Sequence, residues 1–179
     1  KSYQTDVPHI YAVGDVIGHP SLASTSLQQG RVAACHALDT PSLPESPWFP
    51  YGIYSVPEIS TCGMSEEETQ SRGIPYEVGI ARFRETSRGH IMGLEHGMLK
   101  MLFSLKTRRV LGVQIVGEGA TELIHIAQAV LNLKGTVDYF VQNTFNYHTL
   151  AEAYKIAGLD AFNRMPIPEE LKASKGQSS

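Results

Sequence analysis

The residues best suited to chemistry lie near the two ends of the chain. The run Ile-Tyr-Ala-Val at 10–13 precedes Gly14 and Asp15, and a helical pattern starts near Leu22 and Ala23, with Ser21 or Ser24 available as its cap. A carboxylate at the carboxyl end of a buried strand can accept from a ligand hydroxyl, while the N–H groups of the helix start face a negatively polarised atom. Residues 145–152 read Phe-Asn-Tyr-His-Thr-Leu-Ala-Glu. Tyr147 is a poor proton acceptor at neutral pH, because a phenol titrates near ~10. His148 and Glu152 stand four apart and would form an imidazole–carboxylate base if one helix carried both.

Other reactive side chains have plainer readings. Cys35 and Cys62 lie far apart, with no C-x-x-C or C-x4-C spacing, and read as small buried residues of a helix and a strand. His125 falls in an amphipathic helical pattern and His96 in a polar turn, and no two histidines have H-x3-H spacing, so no metal site is expected. Lys106, Arg108 and Arg109 read as a solvated hairpin tip, and Arg82, Arg84 and Arg88 as part of a surface strand. A formal charge of −3 over 179 residues gives no electrostatic reason to bind nucleic acid or an anionic membrane. The chain shows neither a long apolar run nor a signal pattern, so a cytoplasmic location is expected.

Periodicity supplies the scaffold in two parts. The segment 10–13 reads as a buried strand, followed by a helix with Leu27, Val32, Cys35 and Leu38 on its apolar side. Four prolines in DTPSLPESPWFP, residues 39–50, disfavour regular structure, making 41–50 a linker between a first part, 1–40, and a second, 51–165. In the second part, 51–60 reads as extended, and Ser65 with Glu68 forms a capping box for a short helix ending at Gly73. The runs 76–83, 91–94 and 98–105 read as strands, and 110–116 completes a hairpin after a turn at 106–109. A helix over 120–133 carries Leu123, Ile126, Ala127, Val130 and Leu131, and Gly135 ends it. Two more helices are predicted over 136–142 and 149–163, while 166–179 loses periodicity and reads as a disordered tail. The expected fold class is therefore α+β, an antiparallel sheet with helices packed on it, preceded by a strand–helix piece of an α/β domain.

The pattern Thr5-x5-Tyr11-Ala12-x-Gly14-Asp15, then Ala23-x4-Gln28-Gln29-Gly30-Arg31, resembles the second FAD-contacting motif of the flavin disulfide-reductase family, the class I pyridine nucleotide-disulfide oxidoreductases. Residues 50–164 resemble the family's dimerisation domain through Ile-Tyr-Ser-Val-Pro-Glu-Ile at 53–59, Leu-Gly-Val-Gln-Ile-Val-Gly at 111–117 and Thr-Glu-Leu-Ile-His at 121–125. The resemblance implies that Asp15 accepts from a ribityl hydroxyl of FAD and that Gly14, Leu22 and Ala23 lie at the flavin edge. It implies too that 51–165 joins two copies into a homodimer. Disulfide-reducing members carry His-Ala-His-Pro-Thr-x-x-Glu at the position of 145–152, with the second His as base. Here Tyr147 takes the base position and His148 that of the proline, which argues against a thiol substrate.

The form Thr-Phe-Asn-Tyr-x-Thr-x-Ala-Glu-Ala-Tyr at 144–154 most resembles the family's transhydrogenase branch, which passes a hydride from NADPH to NAD through FAD. Three alternatives stand beside it: a dihydrolipoamide dehydrogenase-like flavoprotein with a relocated base, a disulfide-independent flavoprotein of other substrate, and a non-catalytic dimerisation module. The sequence contains no G-x-G-x-x-G loop, so the N-terminal FAD-binding and NAD(P)-binding parts are expected upstream, and the chain alone is expected to be inactive.

Overall fold

The computed structural model describes residues 2–166, so the tail expected over 166–179 lies, beyond Pro166, outside the described residues. The chain divides between Phe49 and Pro50 into two compact units.

The first unit holds a 3-10 turn, Gly14–Ile17, and helix α1, Ala23–Ala37. The segment before the turn differs from its predicted form. Val13 is extended (φ −140°, ψ 161°), but the segment's only pairing among the described residues is an isolated bridge between Gln4 and Tyr11, and Ile10 is exposed. A strand of an α/β sheet is buried by neighbours on both sides, and no described residue provides one. α1 starts as predicted, yet neither Ser21 nor Ser24 caps it: Leu22 is the N-cap without a side-chain bond, and Ser21 donates to the Gly18 carbonyl instead. Its buried side is Thr25, Gln29, Val32 and Ala33, whereas Leu27 and Leu38 are 77% and 76% exposed.

The second unit is a five-stranded antiparallel sheet, β1 Tyr51–Ile53, β2 Ile59–Gly63, β3 Tyr76–Arg82, β4 Met98–Ser104 and β5 Val110–Val116, in the order β1-β2-β5-β4-β3. Helices α4, Ala120–Asn132, and α6, Glu152–Phe162, cover it, α4 on β2 and β5 and α6 on β3 and β4. They lie side by side, since the buried Tyr154 of α6 donates its hydroxyl to the Leu123 carbonyl of α4 at 2.7 Å. Leu99, Met101, Val113, Ile115, Ile124 and Phe140 fill the space between the layers and are essentially inaccessible. Close approach depends on glycine at Gly79, where an added Cβ would stand 2.0 Å from the Ala157 carbonyl oxygen, so α6 rests directly on the β3 backbone.

The remaining helices are α2, Glu66–Ser71, α3, Ser87–Met92, and α5, Val137–Gln142. Ser65 caps α2, accepting from the Glu68 N–H at 3.1 Å, but the expected capping box is not closed, since the Glu68 carboxylate takes Arg72 instead. The strand expected at 91–94 is not formed: Thr86 accepts from the Gly89 N–H, and Gly93 ends α3 at φ 67°, so Ile91 and Met92 close a helical turn instead. The hairpin tip also differs from a solvated turn. Arg108 gives two guanidinium N–H groups to Asp138 at 2.6 and 3.0 Å and lies 5.1 Å over the Phe162 ring, tying the tip to α5 and α6.

Candidate functional site

In the first unit the site is built on the joint between the 3-10 turn and α1. Gly14 is buried with φ 76°, a conformation that favours glycine, and its N–H donates to Gln29 Oε1 at 2.7 Å. That bond stitches the turn to the second helical turn of α1. Asp15 follows with an exposed carboxylate that has no partner among the described residues. The hydroxyls of Thr25 and Ser26 bond backward to the Leu22 carbonyl at 2.8 and 2.9 Å, so no side chain caps the first-turn N–H groups after Leu22 and Ala23. An unclaimed carboxylate and unclaimed helix-end donors fit a ligand with hydroxyls and a polarised carbonyl or ring nitrogen. Of the predicted residues, Gly14 and Asp15 lie in the 3-10 turn and Leu22 and Ala23 at the start of α1, while the stitching role of Gln29 was not predicted, although the residue lies in the Gln-Gln-Gly-Arg pattern.

In the second unit the segment 143–152 is held from beneath. Phe145 stacks on Phe140 with centroids 6.3 Å apart, and Phe140 stacks on Tyr154 at 5.4 Å. Lys155 Nζ donates to the Val141 and Asn143 carbonyls at 2.6 and 3.0 Å, fixing the chain where α5 ends, and the Thr149 hydroxyl donates to the Asn146 carbonyl. Above this base Tyr147 is 65% exposed, and its ring lies 4.7 Å from that of His148.

Spacing alone paired His148 with Glu152, but the structure does not bring them into a hydrogen bond. α6 begins only at Glu152, and His148 precedes it with φ 66°, so the one-turn geometry of an i, i+4 pair does not apply. Glu152 instead accepts from the Ser87 N–H of α3 at 3.2 Å. That partner stands 65 residues away and leaves no trace in local sequence.

Burial pushes the Cys62 thiol up to about 11, which leaves it protonated and unreactive at neutral pH, and no group of three His, Cys, Asp or Glu side chains among the described residues could hold a metal ion. No helix among the described residues is long and apolar enough to cross a membrane. Apolar surface lies elsewhere: a groove of about 460 Å³ is lined by Ile126, Ala129, Val130, Leu133 and Tyr139, with His125 also on its wall, and Leu133 is 82% exposed.

Residues 49–157 match the pyridine nucleotide-disulphide oxidoreductase dimerisation domain. A soluble pyridine nucleotide transhydrogenase of Mycobacterium bovis (strain BCG / Pasteur 1173P2) is 53% identical over 163 residues, 91% of this chain and 35% of its own length. One from Enterobacter sp. (strain 638) is 50% identical over 169 residues, again 91% of this chain and 36% of its own. The chain therefore spans about a third of the length of the curated relatives it matches. Among solved structures, LpdA from Mycobacterium tuberculosis is 26% identical with a TM-score of 0.79, covering 88% of this chain and 35% of that one. The HOCl-induced flavoprotein disulfide reductase RclA from Escherichia coli, 23% identical with a TM-score of 0.82 over 88% of this chain and 37% of its own, shares the fold. On the match over its sheet and helices, and on that sheet's antiparallel architecture, this chain belongs to the pyridine nucleotide-disulphide oxidoreductase dimerisation-domain family.

Proposed function

We propose that this chain is the part of an FAD-dependent pyridine nucleotide transhydrogenase that supplies one edge of the flavin site and the contact between two subunits. One observation carries the reading: the Glu152 carboxylate is bonded to the Ser87 N–H rather than to His148, while Tyr147 stands where the family resemblance puts the base. An imidazole–carboxylate pair is what a thiol substrate requires, whereas hydride exchange between two nicotinamides moves no thiol proton. The identity of 53% to a protein named soluble pyridine nucleotide transhydrogenase points the same way.

Bound FAD would supply the two-electron carrier between NADPH and NAD, and this chain's residues would hold it. Asp15 would accept from a ribityl hydroxyl, Gly14 would let the turn pass close, and the α1 N-terminus at Leu22 and Ala23 would offer its N–H groups to the flavin. Helix-end N–H groups stabilise negative charge there by roughly 0.3–2 kcal/mol. The remaining FAD contacts and both nicotinamide contacts fall to the two-thirds of the relatives that this chain does not match, so the chain alone is catalytically silent. Two copies associate through 51–165, with the apolar groove on α4 and α5 as part of the buried surface, in a cytoplasmic homodimer.

The test is made in the full-length protein. NADPH-dependent reduction of an NAD analogue is expected, and His148→Ala should leave it within about twofold, since no proton passes through that ring. Asp15→Ala should weaken FAD binding by roughly ten- to hundredfold, the loss of a charge-assisted hydrogen bond. Turnover of a disulfide that His148→Ala abolishes would restore the dihydrolipoamide dehydrogenase-like reading. Undiminished flavin retention in Asp15→Ala would leave Asp15 with no role at the flavin.

A further inference from the structure

β3 is an edge strand, and such an edge normally offers a row of free N–H and C=O groups to any other strand. Here side chains meet them. Along β3, alternate residues turn their backbone groups away from β4. The Val78 N–H donates to Glu77 Oε1 at 3.0 Å, the Ile80 N–H to Asp160 Oδ2 at 2.9 Å, and the Arg82 N–H to Glu85 Oε2 at 2.9 Å. On the same edge Arg164 Nη2 donates to the Val78 carbonyl. Three successive outward N–H groups are thus each taken by a carboxylate.

The carboxylates are themselves fixed. Arg164 donates from Nη1 to Asp160 Oδ1 at 2.6 Å and from Nε to Glu77 Oε1 at 3.0 Å, while Arg82 donates to Glu85 Oε1 at 3.2 Å. Asp160 and Arg164 belong to α6 and the residues just after it, and they reach the strand edge because Gly79 lets α6 lie on the β3 backbone. The Arg164 guanidinium holds the Asp160 carboxyl below the usual carboxylate range, so the acceptor is charged throughout the physiological range.

We infer that the outer edge of β3 is closed to strand addition by Glu77, Asp160, Glu85 and Arg164, and that two copies of this chain cannot join their sheets across β3 while these bonds stand. A second strand would have to displace three charge-assisted hydrogen bonds and leave Asp160 and Arg164 without their partners on the strand edge. β1, the opposite edge, is only three residues long, so it offers little for a partner strand to pair with.

The test follows backbone amide exchange and association of the 179-residue chain. In the unaltered chain the Ile80 and Arg82 amides should be protected although they lie outside the β3–β4 ladder. Asp160→Ala should speed exchange at Ile80 by roughly tenfold or more, whereas Asp160→Asn, which keeps an acceptor oxygen, should speed it far less. The double variant Asp160→Ala/Arg164→Ala should form larger species with rising concentration in sedimentation velocity, beyond whatever the unaltered chain forms. Unprotected Ile80 in the unaltered chain overturns the inference, and so does a folded double variant that sediments as the unaltered chain does at every concentration. Where the double variant fails to fold, the exchange of Ile80 in the unaltered chain and in Asp160→Asn decides.

Discussion

Arg108 shows how much one side chain at a turn can hold. Its backbone takes the left-handed region at φ 61°, and its guanidinium pairs with Asp138 through two bonds while Thr136 donates a third to the same carboxylate. Arg108 is the first cause that holds the Asp138 carboxyl below its ordinary range. A carboxyl depressed in the folded state stabilises the fold above its unfolded value of about 3.9, and that contribution fades as pH falls through 3.9 toward the lower folded value. Asp138→Asn should therefore cost about 1.5–3 kcal/mol at neutral pH and converge on the unaltered chain at low pH, flattening the acid limb of a urea-midpoint titration. Glu152 makes a contrasting case, since only its oxygen is used, to accept from Ser87. Glu152→Gln should leave stability nearly unchanged and Glu152→Ala should lose about 0.5–1.5 kcal/mol, and equal losses would mean that the charge matters rather than the acceptor. Residue types were legible here and partners were not. Asp15 and Glu152 stand out in sequence as carboxylates beside helix starts, but Gln29 as the clasp of Gly14 and Ser87 as the donor to Glu152 are fixed by tertiary approach.

At the scale of elements, α6 is located by contact at three places: the aromatic stack through Tyr154 and Phe140, the bare backbone of Gly79, and the Asp160 bond to Ile80. Gly79→Ala drives a methyl group into the Ala157 carbonyl, and since both atoms are backbone-bound neither can swing away. A loss of about 1–3 kcal/mol is expected, read as a lowered thermal midpoint, with the damage concentrated between β3 and α6. Tyr154→Phe removes the hydroxyl that reaches the Leu123 carbonyl in the interior and should cost about 0.5–1.5 kcal/mol. Most elements of the second unit could be read from the sequence, because β4 and β5 are short apolar-rich runs on either side of the polar turn at 106–109 and α4 carries its apolar side over more than three turns. The run at 91–94 could not, because four apolar-rich residues suit either period and the decision falls to Thr86 and Gly93, a cap and a stop that flank it. For 10–13 the pattern signalled burial, and burial depends on neighbouring strands rather than on the run itself.

For the whole molecule, the proposed homodimer would bring the 145–152 segment of one subunit, with Tyr147 and Glu152, to the flavin site of its partner, so that two chains share each site. Full-length subunits disabled at Asp15, mixed with subunits disabled at Glu152, should then recover activity above either parent, because a heterodimer gathers both lesions in one site and leaves the other intact. No recovery, with Glu152 independently shown to matter, would confine each site to one subunit. Leu133→Asp, placed in the groove beside Val130 and Tyr139, should weaken association without unfolding the sheet, as sedimentation and circular dichroism would show together. The strand order has a further consequence in time. β4 and β5 are joined by a short turn, whereas Ile59 of β2 meets Val116 of β5 across all of β3 and β4. Closing that long loop costs chain entropy that is recovered only once β5 offers a formed edge, so the β4–β5 hairpin should lead and β2 should dock late. Val113→Ala should accordingly slow refolding, and Cys62→Ala, its partner position on β2, should chiefly speed unfolding. The reverse pattern in the two arms of a chevron plot would put the rate-limiting step at the β2–β5 seam.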